Sequence, residues 1–307
     1  MRRTSALIIG SAILVLAAVI GFLLLSPPAG EPSASASVQP FASTAPSASV
    51  SSDLLDRRWT VLYVGTDANE RRESDGEPVN TDALLLVSLS ADQSELTLVS
   101  LPRDTIDLHM ADGETYESKI NSLYREQGIG ALVGAMEELY AVPIDAHILL
   151  DMDDFARLAD AVDGVEVSPE EPIADPIVDL DLPAGPQTLD GSQTLGYVRT
   201  RVDDDYGRMA RHQEVLLVLV ERLVDPDADL DLRTLLGSLD SLETDLPLDQ
   251  LPALMELARR ASGAQVTELV IQPPLITFAG DREDGRGYVL EADVEAIRAE
   301  VQRLVGE

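Results

Sequence analysis

Apolar and polar positions divide the chain, from about residue 57 onward, into short apolar runs that alternate with amphipathic segments. Three early runs are rich in valine and leucine, at 59–65, 82–90 and 95–101. Unbroken apolar runs of this length are typical of strands that are buried on both faces of a sheet. The polar residues 90–94 between the second and third runs predict a hairpin.

Helical periodicity and cap residues predict the elements that follow. The middle of the chain is expected to contain a helix at 129–140, a strand at 147–152, and a helix at 154–162 that is capped by Asp153 or Asp154. Asp190 predicts the start of another helix, and a long amphipathic helix is expected at 208–223. The remainder is expected to supply two more helices, a strand and a closing helix at 293–304. The alternation predicts one α/β domain.

The most apolar segment lies at the N-terminus. Arg2 and Arg3 precede an uncharged run from Ala6 to Leu25, which would span roughly 30 Å as a helix, about one hydrocarbon core. The positive residues before the run place the N-terminus in the cytoplasm and the rest of the chain outside. We therefore expect residues 1–25 to be a cytoplasmic N-terminus and transmembrane anchor. A cleaved signal peptide is the alternative, although its apolar region is usually shorter, about 7–15 residues.

Serine, alanine and proline dominate the next segment, and this composition predicts a disordered tether over 26–56. A catalytic domain is then expected at 57–225, with 226–307 as a C-terminal α/β extension that packs on the same domain. The expected protein is a single-pass cell-membrane protein. Its folded domain would lie outside the cytoplasm, within reach of lipid-linked substrates.

The balance of charge narrows the class of partner. The chain holds 22 basic and 55 acidic residues, a formal charge of −33. This charge argues strongly against nucleic acid, whose phosphate backbone requires surplus lysine and arginine. There is no cysteine, so disulfides and thiolate metal sites are excluded. The three histidines, His109, His147 and His212, show no ligand spacing.

Positive charge is nevertheless concentrated in the segment YVRTRVDDDYGRMARHQ, residues 197–213. One interpretation is a solvated surface with ion pairs worth ~0–1 kcal/mol each. The other is an anion site, because Arg199 and Arg201 share a face if their segment is extended. Arg208 and Arg211 share a face of the helix that follows. Guanidinium groups suit phosphate oxygens, and aspartates beside them suit a divalent cation that neutralises a leaving diphosphate.

The same segment resembles the Arg-x-Arg … Asp-x-Gly-Arg-x-x-Arg-Gln signature of the LytR-CpsA-Psr family. Further blocks resemble the family's and occur in its order, at 64–71 (VGTDANER), 80–89 (NTDALLLVSL), 98–105 (LVSLPRDT), 119–121 (KIN), 144–167 and 182–201. The resemblance covers roughly residues 59–225. An anchor followed by a tether is also the family's usual layout.

The resemblance implies an α/β/α sandwich around a mixed sheet, with an apolar slot for a polyprenyl chain. It also implies a transferase that moves a glycopolymer from a polyprenyl-diphosphate carrier to a hydroxyl of peptidoglycan, using Mg²⁺ (or Mn²⁺). The implied roles, by position, are metal ligands (Asp67, Asp82), diphosphate ligands (Arg103, Arg199, Arg201, Arg208, Arg211, Gln213), catalytic residues (Asp82, Arg103, Arg199, Arg201), and residues that orient the arginines (Asp205, Gln213).

The chain departs from the family pattern in its second block. Asn80 and Ala83 stand where the family has arginine and threonine, so one arginine of the anion site is missing. Arg71 and Arg72 are the candidates to replace it. This departure keeps two other functions open, namely a non-catalytic protein that binds the lipid carrier or the wall, and a polyprenyl-diphosphate hydrolase.

A second departure lies in the arginine segment itself. The loop before Arg208 is about one residue short, which leaves Asp204 and Asp205 as alternatives for the carboxylate among the arginines. His212 stands where the first of two glutamines is common in the family, and Gln213 is then a displaced match.

Overall fold

A computed structural model describes residues 52–225, 230, 232–237, 242–261 and 263–306. The predicted membrane anchor and most of the predicted tether lie outside these residues. No helix in these ranges is long and apolar enough to cross a membrane.

The described residues form fourteen strands, ten α-helices and two 3-10 helices (Ile120–Ser122 and Leu248–Gln250). The strands are β1 (Trp59–Thr66), β2 (Thr81–Leu89), β3 (Glu95–Ser100), β4 (Leu108–His109), β5 (Thr115–Tyr116), β6 (Ala146–Leu150), β7 (Val165–Val167), β8 (Ile173–Asp175), β9 (Leu180–Leu182), β10 (Gln187–Leu189), β11 (Glu243–Thr244), β12 (Gln265–Val270), β13 (Ile276–Arg282) and β14 (Gly287–Ala292). The helices are α1 (Ser52–Leu55), α2 (Glu70–Asp75), α3 (Leu123–Gln127), α4 (Ile129–Tyr140), α5 (Met152–Ala161), α6 (Gly191–Arg199), α7 (Asp205–Val224), α8 (Leu232–Gly237), α9 (Leu251–Ala261) and α10 (Val294–Val305).

A mixed six-stranded sheet forms the centre of the fold, in the order β11-β6-β1-β2-β3-β12. β2 is antiparallel to β1 and to β3, which confirms the predicted hairpin. β6 runs parallel to β1, and β12 runs parallel to β3. Every residue of β1 is buried, as expected for a strand that is covered on both faces.

Helices cover both faces of this sheet. One apolar cluster joins the sheet to α5, α6, α7 and α9, and a second joins the opposite face to α4 and α10. The mixed sheet and the helices on its two faces confirm the expected sandwich.

Helix starts differ from the predicted ones where a different residue provides the cap. The helix predicted at 129–140 is α4, and its bounds are confirmed. The cap of α5 is Asp151, which accepts from the backbone N–H of Asp154, so the prediction of Asp153 or Asp154 as the cap is wrong. The long helix α7 begins at Asp205, three residues before the predicted start, because Asp204 caps it.

The chain segments at the two ends of the domain complete its core. The predicted tether overlaps α1, whose Leu54 and Leu55 are buried, so ordered structure begins by residue 52 rather than 57. The C-terminal extension supplies β11 and β12, which are the two edges of the sheet. It also supplies the antiparallel β13–β14 hairpin. In β14 the N–H of Leu290 donates to the carbonyl of Asp104 at 3.0 Å.

Candidate active site

A cavity of about 500 Å³ lies where β1 ends and β2 begins. This volume is typical of ligand pockets. Its walls come from the end of β1, the start of β2, the loop after β3, the start of α5, the end of α6 and the first turns of α7. Segments that are distant in sequence therefore meet at one end of the sheet.

The cavity lining combines dense charge with a continuous set of apolar side chains. Its charged members are five arginines and four aspartates: Arg72, Arg103, Arg199, Arg201, Arg208, Asp67, Asp82, Asp151 and Asp175. Its large apolar members are Tyr63, Leu150, Met152, Phe155, Ile177, Val178, Leu195 and Val198. The cavity thus offers both a polyanion site and contact surface for a hydrocarbon chain.

Asp205 lies among Arg208, Arg201 and Arg103, which together form the arginine cluster. Its Oδ1 accepts from Nε of Arg208 at 2.8 Å and lies 3.1 Å from Nε of Arg201. Burial works to raise the pKa of Asp205, but the positive charges of Arg208 and Arg201 outweigh it and hold the pKa below its ordinary value. Asp204 instead caps α7 by accepting from the N–H of Gly207 at 2.7 Å. Of the two alternatives, Asp205 is therefore the carboxylate among the arginines.

Arg208 and Arg103 hold buried N–H groups that have no partner in the described part of the chain. Arg208 is 3% exposed, and its Nη1 donates to the backbone carbonyl of Asp82 at 2.9 Å. Nη2 of Arg208 and Nε of Arg103 are buried and make no hydrogen bond within the described ranges. Because a buried donor without a partner is costly, these groups are available to a water molecule or to a ligand that accepts from them.

The neighbouring guanidinium groups of Arg103 and Arg201 repel each other. Arg103 is paired with Asp82, and although burial works to lower the pKa of Arg103, the carboxylates of Asp82 and Asp104 raise it overall. Burial lowers the pKa of Arg201, and the positive charge of Arg103 lowers it further. An anion bound between the arginines would relieve this repulsion.

Arg199 is the least constrained of the predicted ligands. It is the last residue of α6, so the condition under which Arg199 and Arg201 would share a face, an extended segment, is not met. The helix is fixed at its start by a capping box at Asp190. The side chain of Arg199 lines the cavity, is exposed, and makes no ion pair or hydrogen bond with another described residue.

Asp67 and Asp82, the predicted metal ligands, lie on neighbouring strand ends and both line the cavity. Asp67 is 6% exposed. Its Oδ1 accepts from the backbone N–H of Asn80 at 2.6 Å, and its Oδ2 lies 3.1 Å from Nη1 of Arg72. No group of three or more His, Cys, Asp or Glu side chains in the described ranges is arranged to hold a metal ion. A cation between Asp67 and Asp82 would need further oxygen ligands, from water or from a substrate.

Two predicted ligands, Arg211 and Gln213, do not line the cavity. Arg211 donates to the backbone carbonyl of Tyr197 at 2.9 Å and pairs with Asp203 at 2.6 Å. Gln213 is 1% exposed and donates to Oγ of Ser100 at 2.8 Å. Gln213 hydrogen-bonds to Ser100 rather than to an arginine, so the prediction that it orients them does not hold in this geometry.

His212 lies between the arginine cluster and the apolar lining. Its ring centroid is 5.3 Å from that of Phe155 and 6.0 Å from that of Tyr63. Both ring nitrogens are buried without a hydrogen-bond partner in the described part of the chain. Burial lowers the pKa of His212 to about 3, and the positive charge of Arg208 adds to the shift. The ring is therefore neutral near pH 7.

Several lining residues were not predicted from the sequence. Asp151 directly follows the buried strand β6, which is a position where a site residue is common, but the sequence prediction placed it inside the strand. Asp175 accepts from Oγ1 of Thr200 at 2.7 Å. Asp175 and Ile177 lie between β7 and α6, in a segment whose pattern gives no sign of a site.

The fold and the cavity define a class of protein, an α/β/α sandwich with a cavity at one end of its sheet that is lined by arginines beside apolar side chains. The model of the LytR_cpsA_psr family matches residues 29–302. The chain belongs to the LytR-CpsA-Psr family.

Known relatives and a solved structure are consistent with this membership. The cell wall biosynthesis protein LcpA of Corynebacterium glutamicum is 28% identical over 77% of this chain, which spans 51% of LcpA. The polyisoprenyl-teichoic acid–peptidoglycan teichoic acid transferase TagU of Enterococcus faecalis is 26% identical over 79% of this chain and 77% of TagU. The crystal structure of Bacillus subtilis TagV has a TM-score of 0.64 at 22% identity, over 81% of this chain and 98% of TagV. The chain thus has the TagV fold, and it spans about half the length of LcpA.

Proposed function

We propose that the protein is a cell-wall glycopolymer transferase that takes its polymer from a polyprenyl-diphosphate carrier and passes it to a hydroxyl of peptidoglycan. The observation that carries the proposal is the single cavity in which five arginines adjoin a large apolar lining. A lipid diphosphate matches both parts of this cavity, because its phosphate oxygens suit the arginines and its hydrocarbon chain suits the apolar lining. The name of the TagU relative, a transferase from a polyisoprenyl carrier to peptidoglycan, supports the same reaction.

In the proposed reaction, the acceptor hydroxyl oxygen attacks the phosphorus that carries the glycan. A new P–O bond forms, the P–O bond to the bridging oxygen breaks, and polyprenyl phosphate leaves with the bonding electrons. Arg103, Arg199, Arg201 and Arg208 stabilise the charge that develops on the phosphate oxygens. The hydroxyl proton passes to a carboxylate of the cavity.

The residues of the cavity fit a divalent cation such as Mg²⁺ when the substrate is present. Asp67 and Asp82 are oxygen donors on adjacent strand ends, and Mg²⁺ is commonly held by one or two carboxylates together with substrate phosphates. The cation would neutralise negative charge on the diphosphate. In the proposed topology, the apolar segment Ala6–Leu25 anchors the chain beside the lipid substrate.

The test is turnover of a polyprenyl-diphosphate-linked sugar by the full-length chain in lipid vesicles, with and without Mg²⁺. Arg199→Ala removes an exposed guanidinium that supports no other residue, so we expect a loss of about 10²-fold in kcat without loss of folding. Arg298→Ala, on α10, is the control and should keep full activity. Binding without turnover would indicate a carrier-binding protein, and phosphate release without acceptor would indicate a hydrolase. If the chain binds the diphosphate no more tightly than polyprenol, all three functions (transferase, carrier-binding protein and hydrolase) are contradicted.

A further inference from the structure

Arg72 brings a guanidinium into the cavity from a segment outside the arginine-rich stretch. It lies in α2, the short helix between β1 and β2, and lines the cavity together with Asp67 and Asn80. The backbone N–H of Arg72 donates to Oδ1 of Asn69 at 2.9 Å, which fixes the start of this turn. The side chain is 22% exposed, so it is accessible from the cavity without being a solvated surface group.

The contacts of Arg72 orient its side chain but leave donors available. Nη1 lies 3.1 Å from Oδ2 of Asp67, and Nε lies 3.4 Å from Oε2 of Glu77. Nη2 donates to the carbonyl of Pro78 at 3.1 Å. That is the one side-chain hydrogen bond Arg72 makes within the described ranges, and its Nε is buried without one. A guanidinium has five N–H donors in a planar fork, and these contacts do not use all of them, so Arg72 can still donate to an acceptor in the cavity.

Among the described residues, Arg72 is the one basic side chain that is paired with Asp67. Asn80 is uncharged, and its Oδ1 accepts from Nη1 of Arg125 at 2.5 Å. Arg125 reaches Asn80 but does not itself line this cavity. Arg103, Arg199, Arg201 and Arg208 come from other segments of the chain.

We propose that Arg72 is a ligand of the substrate diphosphate and supplies, beside Asp67, the positive charge that position 80 lacks. The inference rests on the proposed function and deepens it, because it assigns a binding role to a residue outside the family's sequence blocks. A second phosphate group reaches further across the cavity than a single one does. Arg72 should therefore discriminate diphosphate from monophosphate.

The experiment measures equilibrium binding of farnesyl diphosphate, farnesyl phosphate and farnesol to the full-length chain in detergent micelles. Arg72→Ala should weaken diphosphate binding by about tenfold or more, as expected for a lost charge-assisted hydrogen bond, and monophosphate binding by less. Arg72→Gln keeps a donor for Pro78 and should show the same selective loss. Arg125→Ala removes the other guanidinium near Asn80 and should bind both ligands normally.

A rescue variant distinguishes two roles of Arg72, namely contact with the ligand and support of Asp67. Adding Asn80→Arg to Arg72→Ala should restore much of the diphosphate affinity. If Arg72→Ala leaves diphosphate affinity unchanged, or weakens both phosphates equally, the inference is wrong and Arg72 only holds Asp67. If the unaltered chain binds farnesyl diphosphate no better than farnesol, the proposed function itself fails, and the inference fails with it.

Discussion

Individual arginines in this protein differ in whether their hydrogen bonds are already satisfied by the fold. Arg211 is 8% exposed and donates to the carbonyls of Tyr197 and Thr200. It is a structural residue that ties the end of α6 to α7. Arg199, at the end of α6, is exposed and has no such partner in the described ranges. We infer that binding energy for a phosphate comes from the unsatisfied group, because the satisfied one would have to give up its existing bonds.

His212 makes a testable contribution to stability as the pH changes. Burial lowers the pKa of His212 to about 3 in the folded protein. At a pH between this value and the ordinary pKa of histidine, the imidazole is protonated in the unfolded chain but not in the folded one. The stability from His212 is therefore complete above about pH 6.5 and is lost as the pH falls. Between pH 6.5 and 5, the unaltered chain should lose about 2 kcal/mol of its free energy of unfolding through His212. His212→Gln should abolish this part of the loss. Urea unfolding at both pH values, followed by circular dichroism, measures this difference.

An exposed histidine provides the control for that measurement. His109 lies on β4 and is exposed, so His109→Gln controls for the exchange of histidine for glutamine at a site outside the core. Equal acid sensitivity in His212→Gln and the unaltered chain would show that the imidazole is hydrated in solution and that its burial is not maintained.

Residue types in the arginine segment predict an anion site, which stays a prediction, and they do not show which of its arginines reach the cavity. Positions three apart on a helix differ in direction by about 60°. This rotation takes Arg208 into the cavity and Arg211 out of it. The carboxylate that serves the arginines, Asp205, was identifiable only once the cap at Asp204 was placed. Side-chain direction depends on these local details, which sequence spacing does not fix.

Among the elements, the β13–β14 hairpin supports the loop that carries Arg103. The N–H of Ile106 donates to the carbonyl of Leu290 at 3.0 Å, and the N–H of Leu290 donates to the carbonyl of Asp104 at 3.0 Å. Leu290 is 2% exposed and belongs to the cluster beneath the sheet. The hairpin thus fixes the backbone on both sides of that loop's turn.

Leu290→Ala should lower the free energy of unfolding by about 2–5 kcal/mol, since it leaves a cavity beside the Arg103 loop. Tyr288→Ala is the matched control on the same strand. Tyr288 is 49% exposed, so its truncation should change the free energy by no more than about 0.5 kcal/mol. Denaturant unfolding of the two variants tests the difference, and similar values for both would mean that the hairpin is not packed on the loop.

Elements with a strong periodic pattern were predictable, and those formed by tertiary contacts were not. The central strands have apolar runs and α4 lies between the glycines before it and the proline after it, and their predictions are confirmed. β11 has two residues, and it is a strand because it pairs with β6. The hairpin strand β13 carries exposed residues along most of its length, so its sequence lacks the apolar run by which the central strands were found.

At the scale of the whole molecule, the segment after residue 225 is part of the domain rather than an appendage. It supplies both edge strands of the sheet, and α10 packs into the cluster on one face. A chain that ends at residue 225 should therefore lose cooperative unfolding, with a loss comparable to the stability of a whole domain, about 5–15 kcal/mol. Thermal unfolding by circular dichroism compares it with the full-length chain. A sharp transition in the shortened chain would contradict the expectation.

The position of Leu290 also has a consequence for biosynthesis. The Arg103 loop is translated early, but its backbone partner in β14 leaves the ribosome only when nearly the entire domain has been made. Contacts so distant along the chain form late in folding. A nascent chain therefore has no competent site until its last hairpin has emerged, and a premature stop codon even in the final hairpin should give an inactive product rather than a partly active one.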